Sequence, residues 1–403
     1  MLISALEAAR RLGVKPATLY AYVSRGLLLS AAVSGSRERR YHSEDVERLR
    51  RQHRPGRPRG VPAKSFDPAS PVLDSAICLV EDGRLYYRGV DAVRLAEHAS
   101  LEEVARLLWA VDDDAAFNAG TLPVGAGRWL RGLPAAAAPI ERAYAILVRL
   151  AAEDVGAVDL APIAVARTGV RLTRMLAAAV TGAPPDDAPI HRQLAAAWRV
   201  NRAGADLIRR CLVLAADHEL NASTFVARCI ASTIATPYAA AIGALGALSG
   251  QRHGGATSRA EALLAELPHD AGVAAALSDR LRRGEALPAF GHPLYPDGDP
   301  RAAAILAALQ AALPSARTAP VMRVASEAAR LVARRPNVDF ALGAVSVTLG
   351  LPRGAALGML LVGRSVGWIA HAMEQYAAGD LIRPRARYTG ALPEPEQLAD
   401  PPS

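Results

Sequence analysis

Gly250-Gln251-Arg252-His253-Gly254-Gly255-Ala256 places one histidine beside paired glycines at the end of a long apolar run. Two residues without a Cβ let a ligand come close to main-chain N–H groups next to the imidazole. Taken alone the stretch fits a loop turn equally well. Three further polar islands interrupt apolar sequence in the same part of the chain: Asp217-His218-Glu219-Leu220-Asn221, Phe290-Gly291-His292 and Asn337-Val338-Asp339-Phe340. Together they suggest a single acid–base site.

Outward from these islands, apolar spacing predicts helices over 203–218, 222–248, 257–266, 270–283, 300–312, 318–334, 340–350 and 354–377. Nearer the N-terminus, Ile77 to Gly89 reads as two short strands joined by an Asp82-Gly83 turn. A helix over 92–97 follows, then one opened by Ser100 and Glu103 as a capping box and running to Trp109. The stretch 110–190 is rich in Ala, Leu and Pro and reads only as helices with loops near Pro123, Pro134 and Pro184-Pro185. Strand–helix alternation is missing from this pattern. The prediction is an all-α fold, which argues against nucleotide-binding α/β architectures.

The first 60 residues differ. They hold 13 Lys/Arg against 5 Asp/Glu, while the rest of the 403-residue chain is balanced, so the net charge of +8 belongs to this segment. Such an excess points to a polyanion partner. Ser4 to Leu12 reads as a helix with Leu6, Ala9 and Leu12 inward, stopped by Gly13. Pro16 then suits the first turn of a second helix carrying Leu19, Tyr20 and Val23 and ending at Gly26. Leu27–Ala32 and Arg37–Tyr41 form a predicted basic hairpin, and Ser43 caps a helix to about Gln52. Arg54 to Pro62 has no periodicity and carries three prolines, which reads as a stiff basic linker. A domain boundary follows near 60–72.

Glu7, Arg10 and Arg11 fall where the apolar core of a signal peptide would lie, and no apolar run of spanning length is free of Gly, Pro or charge. These features predict a cytoplasmic protein without a membrane association. Cys78, Cys211 and Cys229 stand singly, without the paired spacing of disulfides or zinc sites, and read as buried small hydrophobes.

The N-terminal pattern resembles the winged helix-turn-helix of the MerR and excisionase type. By that resemblance Thr18, Tyr20, Tyr22 and Arg25 would face DNA, with Arg37, Arg39 and Arg40 on phosphates. A basic domain that mediates protein contacts is the alternative. Residues 76–390 resemble the citrate synthase family. Asp82-Gly-Arg-Leu-Tyr-Tyr-Arg-Gly89, Asp217 to Phe225, Gly250 to Ala256, Gly291-His-Pro-Leu-Tyr295 with Asp299-Pro-Arg301, Asn337 to Phe340, Gly363-Arg364 to His371 and Ile382-Arg-Pro-Arg385 follow in family order.

The resemblance implies condensation of acetyl-CoA with oxaloacetate, without a metal or redox cofactor. Asp339 would be the base that removes the methyl proton, with Val338 and Phe340 excluding water from it. His253 would hydrogen-bond the thioester oxygen, and His292 would polarise the ketone. Arg301, Arg364 and Arg383 would bind carboxylates and His218 the substrate, with Arg383 reaching the neighbouring subunit's site in a homodimer. Blander roles stand beside these: a core or capping histidine for His218, a surface arginine for Arg383, a helix N-cap for Asp339. His371 is left as structural. The implied architecture is a winged helix-turn-helix domain over 1–54, a linker over 55–71, a large helical domain over 72–252 and 345–403, and a small one over 253–344 that closes over substrate.

Two departures stand out. The family usually carries Asn-Glu where this chain has Thr257-Ser258, and many bacterial relatives carry Arg and Lys where Pro293 and Pro296 stand. The second removes two positive charges near the expected CoA pocket. Propionyl-CoA as substrate, giving 2-methylcitrate, differs by one methylene and is an alternative. A transcription regulator whose synthase-like domain senses a metabolite is another.

Overall fold

The computed structural model describes residues 2–12, 30–32, 39–43, 45–46, 73–117, 122, 125–134, 137–267, 272–386 and 388–391. The chain divides into two compact units, 1–60 and 61–403.

In the first unit, β1 (Leu2–Ser4) leads directly into α1 (Ala5–Leu12). β2 (Ser30–Ala32) and β3 (Arg39–His42) pair antiparallel with Ala31 opposite Arg40, and β3 also pairs with β1, giving the order β1-β3-β2. The predicted basic hairpin is therefore present, and β1 is an addition that a three-residue strand gives no period to reveal. Ile3, Ala8, Ala9, Tyr41 and Val46 are buried. Leu6 is a correction: it is 75% exposed, because α1 turns its small alanine face toward β1 and β3. Glu7 is drawn instead to Arg10 and Arg11 on the outer face. Arg40 is exposed, and Arg39 lies in β3. Thr18, Tyr20, Tyr22, Arg25, Arg37 and the linker over 55–71 lie outside the described residues.

The second unit opens with an antiparallel sheet of β4 (Cys78–Glu81), β5 (Arg84–Tyr87) and β6 (Val90–Asp91). Asp82 and Gly83, at φ 49° and 73°, make the two-residue turn that the Asp-Gly pair predicts. Helices follow: α2 (Ala92–His98), α3 (Leu101–Trp109), α4 (Asp114–Phe117), α5 (Ala126–Arg131), α6 (Pro139–Glu153) and α7 (Pro162–Thr181). Next come α8 (Ile190–Ala197), α9 (Arg202–Ala215), α10 (Ala222–Ala231), α11 (Pro237–Leu248), α12 (Gly254–Glu266) and α13 (Val273–Arg282). The last are α14 (Pro300–Ala312), α15 (Ser315–Val332), α16 (Val338–Leu349) and α17 (Ala355–Ala378). The capping box at α3 has both reciprocal bonds between Ser100 and Glu103. The single helix predicted over 222–248 is two. Ile234 takes a positive φ, Thr236 caps α11 and Pro237 occupies its first turn, so polar capping overrides a continuous apolar run. Cys211 is buried as expected, whereas Cys78 and Cys229 are only half-buried.

The organising element is α17. Apolar on nearly every side, it packs against α3, α7, α9, α10, α11, α12 and α16, as an all-round hydrophobic core helix does. By length and composition it could cross a membrane, yet 89% of its most apolar window is buried inside the protein. Gly367 is where the chain just past α9 meets it most closely. A Cβ there would lie 2.3 Å from Asp217 Oδ2 and 2.4 Å from the Ala216 carbonyl, which itself accepts from Gly367 N at 3.1 Å. Gly367→Ala should therefore force α9 and α17 apart and lower stability by about 1–3 kcal/mol, read as a lower denaturant midpoint at unchanged m value. An unchanged midpoint would mean that the contact is looser than it looks.

Candidate active site

Three helix N-termini and two loops carry the polar islands to one place. His253 occupies the N-cap position of α12, Arg301 the first turn of α14 and Asp339 the first turn of α16, while His218 and His292 sit in the loops before α10 and α14. Each helix start brings the positive end of a dipole, which favours anionic groups in the site.

The loop bearing His292 is tied to the start of α16 by main-chain bonds. Gly291 N donates to Arg335 O at 2.7 Å and Asn337 N to Ala289 O at 2.9 Å around an isolated bridge between Phe290 and Pro336. Asn337 Nδ2 adds a bond to Gly291 O at 3.2 Å. Asn337 is also the N-cap of α16, its side chain accepting from Asp339 N at 3.0 Å, so the N-cap role read as an alternative for Asp339 belongs to Asn337. Asp299 supplies the second tie. It caps α14 through Arg301 N, accepts from Val338 N at 2.9 Å, and grips the Arg301 guanidinium with both oxygens at 3.0 and 2.8 Å. Two buried charges so paired fix the relative placement of Arg301 and Asp339.

His292 is a neutral donor. Burial, then the Arg301 charge, lowers its pKa to about 4. Its Nδ1 accepts from Leu294 N at 3.2 Å, which leaves the ring proton on Nε2. His218 stands against it with ring centroids 4.9 Å apart at nearly right angles, and its Nε2 shares a 2.9 Å hydrogen bond with the Tyr295 hydroxyl. Burial pushes His218 well below its usual range, with Arg301, His292 and Arg364 adding to the effect. Tyr295 is buried and lies under the Arg301 guanidinium, 5.6 Å from ring centre to carbon.

His253 is also held neutral near pKa 4, by burial first and Arg364 second. Its Nε2 lies 2.8 Å from Ser223 Oγ, which is 2.8 Å from Asn221 Oδ1 and accepts from Trp368 Nε1 at 3.1 Å. The α10 cap and α17 thus hold the ring from behind. Asp339 has its pKa raised by burial, opposed by a hydrogen bond from Thr257 and by the charges of Arg301 and Arg364. Val338 and Phe340 are buried on either side of it.

Arg364 projects from the middle of α17. It is 2% exposed, and its Nε donates to Ala215 O at 2.8 Å. Neither its terminal nitrogens nor Nη1 of Arg301 has a hydrogen-bond partner among the described residues. Buried guanidinium groups with free donors are receptors for carboxylates. The shared electrostatics of Arg364 with His218, His253, Arg301 and Asp339 bring these residues into one cluster. Arg383 is not among them: it is exposed in the coil after α17. His371 is fully buried 3.4 Å from Asp217, in keeping with a structural role. Among the described residues no group of three or more His, Cys, Asp or Glu is arranged to hold a metal ion.

Sequence reasoning gave no role to Ser223, Tyr295, Asp299 or Thr257. Asp299 carried a readable signal, an aspartate before Pro-Arg at a helix start. The others form partnerships across 30 to 82 residues, which no local pattern announces.

The family model described as "Citrate synthase, C-terminal domain" matches residues 69–385, and "MerR HTH family regulatory protein" matches residues 3–54. A citrate synthase of Haloferax volcanii is 39% identical over 199 residues, covering 47% of this chain and 52% of that protein. The chain thus spans about half the length of that relative. A 2-methylcitrate synthase of Mycobacterium tuberculosis is 31% identical over 339 residues, 76% of this chain and 84% of that protein. Among solved structures, the citrate synthase of Thermotoga maritima superposes with a TM-score of 0.66 at 26% identity, covering 82% of this chain and 98% of that one. From these matches and the mainly helical architecture, the chain belongs to the citrate synthase family.

Proposed function

We propose that the protein condenses an acyl-CoA with oxaloacetate, giving a citrate-type product and free CoA. The observation that carries this reading is a carboxylate whose pKa burial raises, Asp339, grouped with two neutral imidazoles and two buried arginines that have donors to spare. A metabolite sensor would want the arginines but has no use for a desolvated base.

In the proposed sequence Asp339 takes a proton from the carbon next to the thioester, and the C–H electron pair moves toward the thioester oxygen. His253 meets the charge on that oxygen through a ring N–H. Ser223 Oγ, 2.8 Å from Nε2, fixes the orientation of the ring. The enol carbon then attacks the ketone, whose electrons pass to its oxygen, and His292 Nε2–H supplies the proton that makes the tertiary alcohol. Arg301 and Arg364 hold the carboxylates throughout, with His218 beside them. Water finally cleaves the C–S bond, giving the carboxylate and CoA thiol. We extend the proposal to a homodimer with the large and small domain division given above, in which the exposed Arg383 completes the partner subunit's site.

Relatives are named for the synthesis of citrate and of 2-methylcitrate, the products that acetyl-CoA and propionyl-CoA would give here. Thiol release measured with each thioester and oxaloacetate, and product mass taken from the same reactions, distinguishes them. No thiol from either would refute the condensation. The basic first 60 residues and the match at 3–54 favour a second, compatible reading, DNA binding by the N-terminal unit. A mobility-shift titration in salt tests it. Affinity should fall steeply as salt rises, and no retention at low salt would sink it.

A further inference from the structure

Thr257 lies one helical turn beyond His253 on α12 and is fully buried. Its hydroxyl donates to Asp339 Oδ1 at 2.5 Å, the short distance of a charge-assisted O–H···O⁻ bond. The contact is built into the packing of two helices. α12 and α16 run side by side with their N-termini together: Thr257 faces Asp339, Ser346 Oγ donates to Glu261 Oε1 at 2.6 Å, and at Gly343 a Cβ would lie 3.1 Å from Glu261 N. That close approach leaves Thr257 little room to turn away.

Among the described residues Thr257 is the one side chain in hydrogen-bond contact with the Asp339 carboxylate. Arg301 and Arg364 act on it through space, Asp299 opposes them, and His253 and His292 stand neutral nearby. No ion pair reaches it within 4 Å among those residues. We infer that Thr257 is a positioning residue for Asp339: its hydroxyl holds Oδ1 and so assigns proton abstraction to Oδ2. The inference rests on the proposed role of Asp339 as base. It also gives a use to a position where the family usually carries asparagine, because hydroxyl and amide can each donate to the same oxygen.

The test is Thr257→Val, which keeps shape and removes the donor, beside Thr257→Ser, which keeps the hydroxyl. Thr257→Ala serves as the second deletion if the valine chain fails to fold. Two measurements are needed: kcat/KM for thiol release against pH, and titration of the Asp339 carboxyl by carbon-13 NMR, assigned with Asp339→Asn. The hydroxyl favours the carboxylate, so removing it makes protonation easier and moves the acid limb to higher pH. On that limb kcat/KM should fall about tenfold, KM for oxaloacetate should hold, and serine should restore the wild-type curve. Superimposable carboxyl titrations in wild type and Thr257→Val, with the fold intact, would overturn the inference. A shifted titration in a chain that releases no thiol would uphold the clamp and sink the condensation reading.

Discussion

Asp339→Ala should lower thiol release by about 1,000-fold while the protein keeps its fold and its affinity for oxaloacetate. General-base removal costs on the order of 10²–10⁴ in rate where the base is well placed. Asp339 has the placement: the first turn of α16, buried flanks at Val338 and Phe340, and a pKa that burial pushes up. Stability should change little. The charge that burial disfavours is gone, while Thr257 loses its acceptor, and the two effects oppose each other. Circular dichroism and thermal unfolding check the fold, and calorimetry with oxaloacetate checks binding. Turnover equal to wild type in folded Asp339→Ala would remove Asp339 from the chemistry.

Arg364→Met should raise KM for oxaloacetate by about 100-fold, with a smaller effect on kcat. Methionine fills the volume but offers no donor. Arg364 is the better test of carboxylate binding because among the described residues its charge is not paired to an acid within 4 Å, so its loss breaks no ion pair and frees only the Ala215 carbonyl. Arg301 differs. It is locked to buried Asp299, and its removal would leave an uncompensated carboxylate that also holds Val338 N. A fall in affinity there would mix binding with unfolding. Steady-state kinetics at varied oxaloacetate separate KM from kcat for Arg364→Met. Unchanged KM would show that the buried guanidinium serves only the α9–α17 junction.

Much of the helical frame was legible because apolar spacing and caps are local. The bounds of α17 and α14 fall within a residue of the sequence reading, and the Asp82-Gly83 turn and the Ser100 cap appear where their chemistry requires them. Local signals also misled. The run 222–248 conceals a break at Thr236-Pro237, and Leu6 sits outside a face made of alanines. The stretch 110–190 read only as helices without bounds because alanine-rich helices carry little periodic contrast. For the site, the polar islands were visible as interruptions that suggested one site, but the packing behind their convergence was not legible. It depends on Asn337 meeting the loop at Gly291, on Asp299 reaching Val338 and on Thr257 reaching Asp339, all between segments distant in sequence. Resemblance supplied the order of the motifs, and packing supplies the reason they meet.

The proposed chemistry requires that His253, His292 and Asp339 surround the carbon centre of an oxo acid held by Arg301 and Arg364. A crystal structure of the full chain with oxaloacetate tests it most directly. Carboxylate oxygens should lie on both guanidinium groups, the ketone oxygen within hydrogen-bond distance of His292 Nε2, and Asp339 should face the open side of the ketone carbon. Oxaloacetate bound elsewhere, or bound here with His292 turned away from its ketone, would contradict it.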